Sequence, residues 1–215
     1  MHKDTEGYTH ITVILDRSGS MDEIRDDTIG GFNAFIEEQK KGQGKATLTL
    51  VQFDTADPYE VIHSFRPIGD VPALTPETYV PRGGTPLLDA LGRGINDIDR
   101  CVLAVPEAER PEHVMVAVIT DGEENSSREF RKEQVEKMIK AKTAGGWTFI
   151  FLSADLNAVQ EAVRLGFHQE SSIPFDKSPE GVSCCMQMLS EKVSGMRSEP
   201  KADMNERIRD ARKRL

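Results

Sequence analysis

The chain has 215 residues, enough for one large domain with a sizeable core, and its formal net charge of -9 is the opposite of the basic face that a general nucleic-acid binder carries. No stretch approaches the roughly 18 consecutive apolar residues of a membrane span, and the polar start Met1-His-Lys-Asp-Thr-Glu6 lacks an apolar signal-peptide core, so the expectation is neither membrane insertion nor classical secretion but the cytoplasm. Cys101, Cys184 and Cys185 make no C-x-x-C spacing, which argues for reduced, buried thiols over a disulfide framework or a zinc site.

Thr9 to Leu15 is a short apolar run rich in β-branched residues, suited to a strand covered on both faces. It runs into Asp16-Arg-Ser18-Gly-Ser20, and a helix is expected from about Asp22 to Lys40, where Ile24, Thr28, Phe32, Phe35 and Ile36 recur at helical spacing. Gly42-Gln-Gly44 ends it. Lys45 to Phe53 and Tyr59 to Phe65 read as two strands joined by turn residues, an antiparallel hairpin at one edge of the sheet. Pro67 to Gly84 is a long irregular connection, and connections of that length in a compact domain usually serve function. At its end Thr85-Pro86 reads as a helix N-cap and first helical position, followed by Leu87, Leu88, Leu91, Ile95 and Ile98 on a helix.

Val114 to Thr120 is the next buried strand, and Asp121-Gly-Glu-Glu-Asn125-Ser-Ser follows it directly. A helix around Phe130 to Ala144 is expected, with Ser126 and Glu129 as its capping box. Trp147 to Ser153 reads as a strand, Asn157 to Leu165 as a short helix, Ser171 to Phe175 as a brief last strand and Pro179 to Met196 as a helix. Strands alternating with helices predict an α/β fold, a doubly wound and mostly parallel sheet with helices on both faces and one antiparallel edge strand. The domain is expected over residues 8–195, and 196–215 as a polar tail, disordered or helical.

In such a sheet the loops at the carboxyl ends of the strands converge on a crevice where strand order reverses. Asp16, Ser18 and Ser20 leave the first strand, Thr85 enters a later helix and Asp121 follows another strand, so the fold can bring all three loops together. Each residue also has a structural explanation: Ser20 with Glu23 makes a capping box, Thr85 an N-cap and Asp121-Gly122 a turn. Those explanations leave Asp16 and Ser18 without a role. Two carboxylates and three hydroxyls are oxygen donors that suit a hard divalent cation and neutralise its charge. The same loops carry Asp22, Glu23, Asp54, Glu123 and Glu124, readable as an acidic rim or as acids in first helical turns, while Arg17 reads either as a group for an approaching carboxylate or as a solvated side chain.

Taken together, Asp16-Arg-Ser18-Gly-Ser20, then Thr85, then Asp121, resemble the complete metal-ion-dependent adhesion site of the von Willebrand factor A domain family, and the Asp16-Arg-Ser-Gly-Ser-Met21 form resembles its intracellular, prokaryotic and viral branch. The resemblance implies a Rossmann-like sheet, bound Mg²⁺ or Mn²⁺, and a protein partner that donates an Asp or Glu carboxylate to the metal. It also implies that Ser18 and Ser20 ligate directly, Thr85 directly or through water, and the two aspartates often through water. The expectation is therefore a non-enzymatic module without a nucleic-acid or membrane partner, monomeric by default. An aspartate-nucleophile phosphotransferase using Asp16 is the enzymatic alternative, although Ser18 stands where that chemistry places a second carboxylate. A structural protein stabilised by its metal is the third reading. Serine hydrolase and P-loop nucleotide chemistry lack their motifs.

Overall fold

The computed structural model describes residues 7–198. Six strands, β1 (Thr9–Asp16), β2 (Ala46–Phe53), β3 (Glu60–Pro67), β4 (His113–Thr120), β5 (Thr148–Ser153) and β6 (Ser172–Pro174), form one sheet in the order β3-β2-β1-β4-β5-β6. All neighbours pair in parallel except β2 and β3, which form the antiparallel edge. Five α-helices cover it: α1 (Arg25–Lys41), α2 (Leu87–Ala104), α3 (Lys132–Ala144), α4 (Leu156–Arg164) and α5 (Pro179–Ser198). The fold class read from the sequence is therefore the one observed.

Every residue of β1, β2 and β4 is buried, which explains why their sequences run apolar without a polar face. Successive side chains of a strand point to opposite faces. Ile11, Val13 and Leu15 thus enter one layer with Phe32, Phe35 and Ile36 of α1 and Met186 and Leu189 of α5. Ile14 enters the other with Val116 and Val118 of β4, Leu91 and Ile95 of α2, and Ile139 of α3. Full burial of such side chains contributes about 1.5–3 kcal/mol each, so the central strands are held from both sides. By contrast β3 is only partly buried, as an edge strand should be. Phe65 near its end adopts φ 46 and stacks on the buried His10 ring at 3.7 Å, where the β2–β3 register shifts.

Several local expectations are corrected. A 3₁₀ turn over Gly19–Ile24 precedes α1, and Ser18 at its start makes no side-chain cap, so Ser20 and Glu23 are not a capping box. Thr85 does not cap α2 either, since Pro86 occupies that position. Likewise Ser126 and Glu129 do not cap α3: Arg131 takes that place, its N–H donating to Gln134 Oε1 at 2.9 Å, while Glu129 pairs with Arg93 at 2.6 Å. Ser20 and Glu129, which sequence assigns to their own helices, are instead engaged by other segments, Ser20 by Asp121 and Glu129 by Arg93.

The helix α5 runs past residue 195 to Ser198. Arg197 lies buried against the end of α1, donating to the carbonyls of Gln39 at 2.5 Å, Gly42 and Gln43 at 3.1 Å each, and Gly44 at 3.3 Å. The Gln39 and Gly42 carbonyls are among those that a helix C-terminus leaves without intrahelical partners, and Gln43 and Gly44 lie on the turn beyond it. The remainder of the expected tail, 199–215, lies outside the described residues.

Candidate metal centre

Strand order reverses between β1 and β4, whose two outward connections leave in opposite directions along the sheet. The β1 strand ends at Asp16 and β4 at Thr120, so the loops that follow face each other across the crevice that open α/β sheets use for ligands. Ser18 Oγ lies 3.2 Å from Ser20 Oγ, and Ser20 Oγ donates to Asp121 Oδ1 at 2.7 Å. Asp16 joins them from below: its Oδ1 accepts the Ser18 N–H at 2.6 Å, and its Oδ2 accepts the Thr120 hydroxyl at 2.6 Å. Four of the five residues named from the sequence thus form one connected cluster.

Thr85 reaches the cluster through the backbone around it. Its N–H donates to Asn125 Oδ1 at 2.9 Å and its carbonyl accepts the Asn125 N–H at 3.1 Å, a reciprocal pair that ties it to the loop of Asp121. On the other side Gly83 O accepts the Gly19 N–H at 3.0 Å and the Arg82 N–H donates to Arg17 O at 2.8 Å. Gly83 has φ +67, and a Cβ there would overlap Thr55 Oγ1, so only glycine fits this approach. The long connection that delivers Thr85 is itself pinned, with buried Tyr79 donating its hydroxyl to Asp16 O at 2.5 Å.

Arg17 neither meets solvent nor reaches into the crevice. Its side chain is buried, with Nε 2.7 Å from Asp54 Oδ2 and further hydrogen bonds to Gln52 and Glu60. Asp54 Oδ2 also takes Arg82 Nε at 3.0 Å. Burial works against the Asp54 charge, but the Asp57 N–H and the two arginines outweigh it and hold the carboxyl below its ordinary range. Asp54 is therefore a bracket between the first loop and the Thr85 loop, not part of an acidic rim. Glu124 is structural as well: its carboxylate accepts the N–H groups of Leu88, Ser126 and Ser127 at 2.7–2.8 Å.

The cluster concentrates buried negative charge. Asp16 is fully buried, and that burial is the main reason its carboxyl is pushed up to about 6, against the hydrogen bonds from Thr120 and Ser18 and with a smaller push from Asp121. Its ionised form lacks a compensating positive charge. Asp121 Oδ2 is buried and accepts no hydrogen bond of good geometry, though the Lys177 ammonium lies 2.8 Å from it. Lys177, on the turn between β6 and α5, also pairs with Glu23 at 2.9 Å. Two buried carboxylates beside two serine hydroxyls, one carboxylate oxygen being held only by a lysine ammonium, fit a hard divalent cation; Asp16, Ser18, Ser20 and Asp121, with Thr85 from the adjoining loop, would hold it, by the oxygen-only chemistry of the set. Among the described residues no cluster of three or more His, Cys, Asp or Glu competes with it.

Sequence reasoning missed Thr120, Asn125 and Lys177. Thr120 carried a signal, a hydroxyl ending an otherwise apolar strand, whereas Lys177 and Asn125 gain their roles only from the fold. A separate cleft of about 790 Å³, lined by Tyr8, Lys45, Phe65 and Cys101 among others, opens at the opposite end of the sheet and contains none of the five residues.

No protein-family model matches the chain, and no curated protein does. Solved structures do. Proximal thread matrix protein 1 from the mussel byssus, in a structure with a zinc-occupied metal-ion-dependent adhesion site motif, aligns with a TM-score of 0.58 at 16% identity over 89% of this chain and 47% of its own. A von Willebrand factor type A protein from Catenulispora acidiphila gives 0.55 at 16% identity, covering 87% and 43%. The pilus adhesin SpaC from Lactobacillus rhamnosus GG gives 0.62 at 13% identity, covering 86% and 30%. The chain spans less than half the length of each. At these identities the likeness establishes the fold, that of von Willebrand factor A domains.

Proposed function

We propose that this chain is a non-enzymatic protein-binding module that holds Mg²⁺ or Mn²⁺ at Asp16, Ser18, Ser20, Thr85 and Asp121 and captures an Asp or Glu side chain of a partner protein through it. The observation that carries the reading is the hydrogen-bonded group Asp16, Ser18, Ser20 and Asp121 at the strand-order reversal, with one buried carboxylate oxygen held by nothing but the Lys177 ammonium. When bound, the metal supplies a Lewis-acidic coordination position for an incoming carboxylate, because three neutral hydroxyls quench its charge less than acidic ligands would. The chain's own residues orient the ligands: Thr120 turns the Asp16 carboxylate, Ser20 fixes Asp121, and Asn125 with Gly83 sets Thr85.

A net charge of -9 favours a protein partner over nucleic acid, and a cytoplasmic location is part of the proposal; of the three cysteines expected as buried thiols only Cys185 is buried, Cys101 being half-buried and Cys184 exposed. No helix among the described residues is long and apolar enough to cross a membrane. We further propose a monomer. The phosphotransferase reading gains a lysine, Lys177, yet both oxygens of Asp16 are engaged, by the Ser18 N–H and the Thr120 hydroxyl, which leaves that carboxylate poorly placed as a nucleophile.

The test is capture from the native cell with wild type and Asp16→Ala, each in Mg²⁺ and in chelator, alongside a phosphatase assay. A set of partners recovered only by wild type with Mg²⁺ supports the proposal. Recovery of the same partners in all four conditions ends it, and Asp16-dependent phosphate release would install the enzyme in its place.

A further inference from the structure

We propose that Lys177 is an internal competitor for the divalent cation: its ammonium occupies the Asp121 oxygen that the metal needs, so cation uptake is an exchange of Lys177 for metal and Lys177 sets the affinity of the site. The inference rests on the metal-binding reading above and concerns how that site is regulated. Its basis is geometric. Asp121 spends Oδ1 on the Ser20 hydroxyl, and the Lys177 Nζ sits 2.8 Å from Oδ2, which is otherwise without a hydrogen-bond donor. An ammonium in that position and a divalent ion drawing on the same carboxylate repel each other at short range, and one must leave.

Lys177 has somewhere to go. Glu23, whose side chain is 76% exposed, already holds the same ammonium at 2.9 Å from the 3₁₀ turn beside Ser20. Withdrawal from Asp121 therefore leaves Lys177 paired at the rim instead of stranded, and the exchange moves a single flexible side chain. Two negative charges, from Asp16 and Asp121, otherwise face the cation; with Lys177 in place the set offers only one net charge.

Removing the ammonium should tighten metal binding. Calorimetric titration of MnCl₂ into wild type, Lys177→Met and Lys177→Arg at low salt, with free Mn²⁺ followed by its paramagnetic resonance signal, reads this directly. The expected result is binding tightened by about tenfold or more in Lys177→Met, from loss of one like charge a few ångströms from the metal at a partly exposed site, with Lys177→Arg close to wild type. Raising NaCl should narrow the gap. Equal or weaker binding in Lys177→Met, or equal tightening in Lys177→Arg, overturns the competition while leaving the metal site intact. Wild type and both variants all failing to bind Mn²⁺ would instead overturn the metal-binding reading and this inference with it.

Discussion

Asp16 shows how much a single side chain depends on groups that flank it. Its carboxylate points where it does because Thr120 donates to Oδ2 and the Ser18 N–H to Oδ1. Thr120→Val keeps the shape of a buried strand residue and deletes that donor, and loss of such an orienting contact should weaken Mn²⁺ binding by about 10–100-fold with the fold retained; calorimetry paired with circular dichroism checks it. His10 makes a different prediction. Burial drives its imidazole down from 6.5 to about 3, between Thr47 and Thr12 hydroxyls and under the Phe65 ring. Between those values the unfolded chain holds more protons than the folded one, so stability is lost as pH falls below 6.5, by about 1.4 kcal/mol per pH unit from this residue. Urea unfolding at pH 7, 6 and 5 should show wild type losing stability relative to His10→Gln, approaching that slope below pH 6; the difference between the two proteins is what reads His10, because Asp16, pushed up to about 6, contributes with the opposite sign in both. The five candidate positions could be named from the sequence because their types and order are distinctive, and the fold joins Asp16, Ser18, Ser20 and Asp121 in one hydrogen-bonded cluster. The burial of Arg17 was not, since nothing local announces that Asp54 and Glu60 will enclose it.

At the scale of elements, the strands and helices were readable to within a few residues from apolar runs and helical periodicity, and the cap residues were not. Ser20 and Thr85 both have the chemistry of helix caps, and Ser126 with Glu129 the spacing of a capping box, yet Ser20 bonds to Asp121 and Glu129 to Arg93. Local propensity loses where a partner from another loop is in reach. The Arg17–Asp54–Arg82 bracket joins the first loop to the Thr85 loop, and Arg17→Met would leave the fully buried Asp54 with the half-exposed Arg82 as its one remaining charge partner beside the Ala56 and Asp57 N–H groups. Breaking a buried pair on one side costs about 3–5 kcal/mol, and a large fall in denaturation midpoint is the expected outcome. Arg197 closes the end of α1 from the last turn of α5 in the same manner. Arg197→Ala removes the guanidinium from four carbonyls, of which Gln39 O keeps the Gly42 N–H, and should lower stability by about 2–3 kcal/mol, since hydrogen bonds from a charged donor are each strong but the exposed carbonyls regain water. An unchanged melting temperature would show that α5 ends functionally before Arg197.

Across the whole molecule, the parallel core with its antiparallel edge places three separate loops at one reversal of strand order, and this is what converts scattered aspartate, serine and threonine residues into a single oxygen-lined centre. Alternation of strand-like and helix-like segments foretold that architecture, and the architecture in turn foretold the meeting of the loops. The sequence carried no sign of Lys177, because the short β6 and the turn after it acquire a position relative to Asp121 only when the sheet is assembled. The central claim is that Ser18 and Ser20 are ligands and not merely loop residues. The measurement that tests it most directly is calorimetric titration of Mg²⁺ and Mn²⁺ into wild type and a Ser18→Ala, Ser20→Ala double variant, with melting curves for both. One ion bound per wild-type chain, and none by a double variant that melts as wild type does in chelator, is the predicted result; equal affinity and stoichiometry in the two proteins would contradict it.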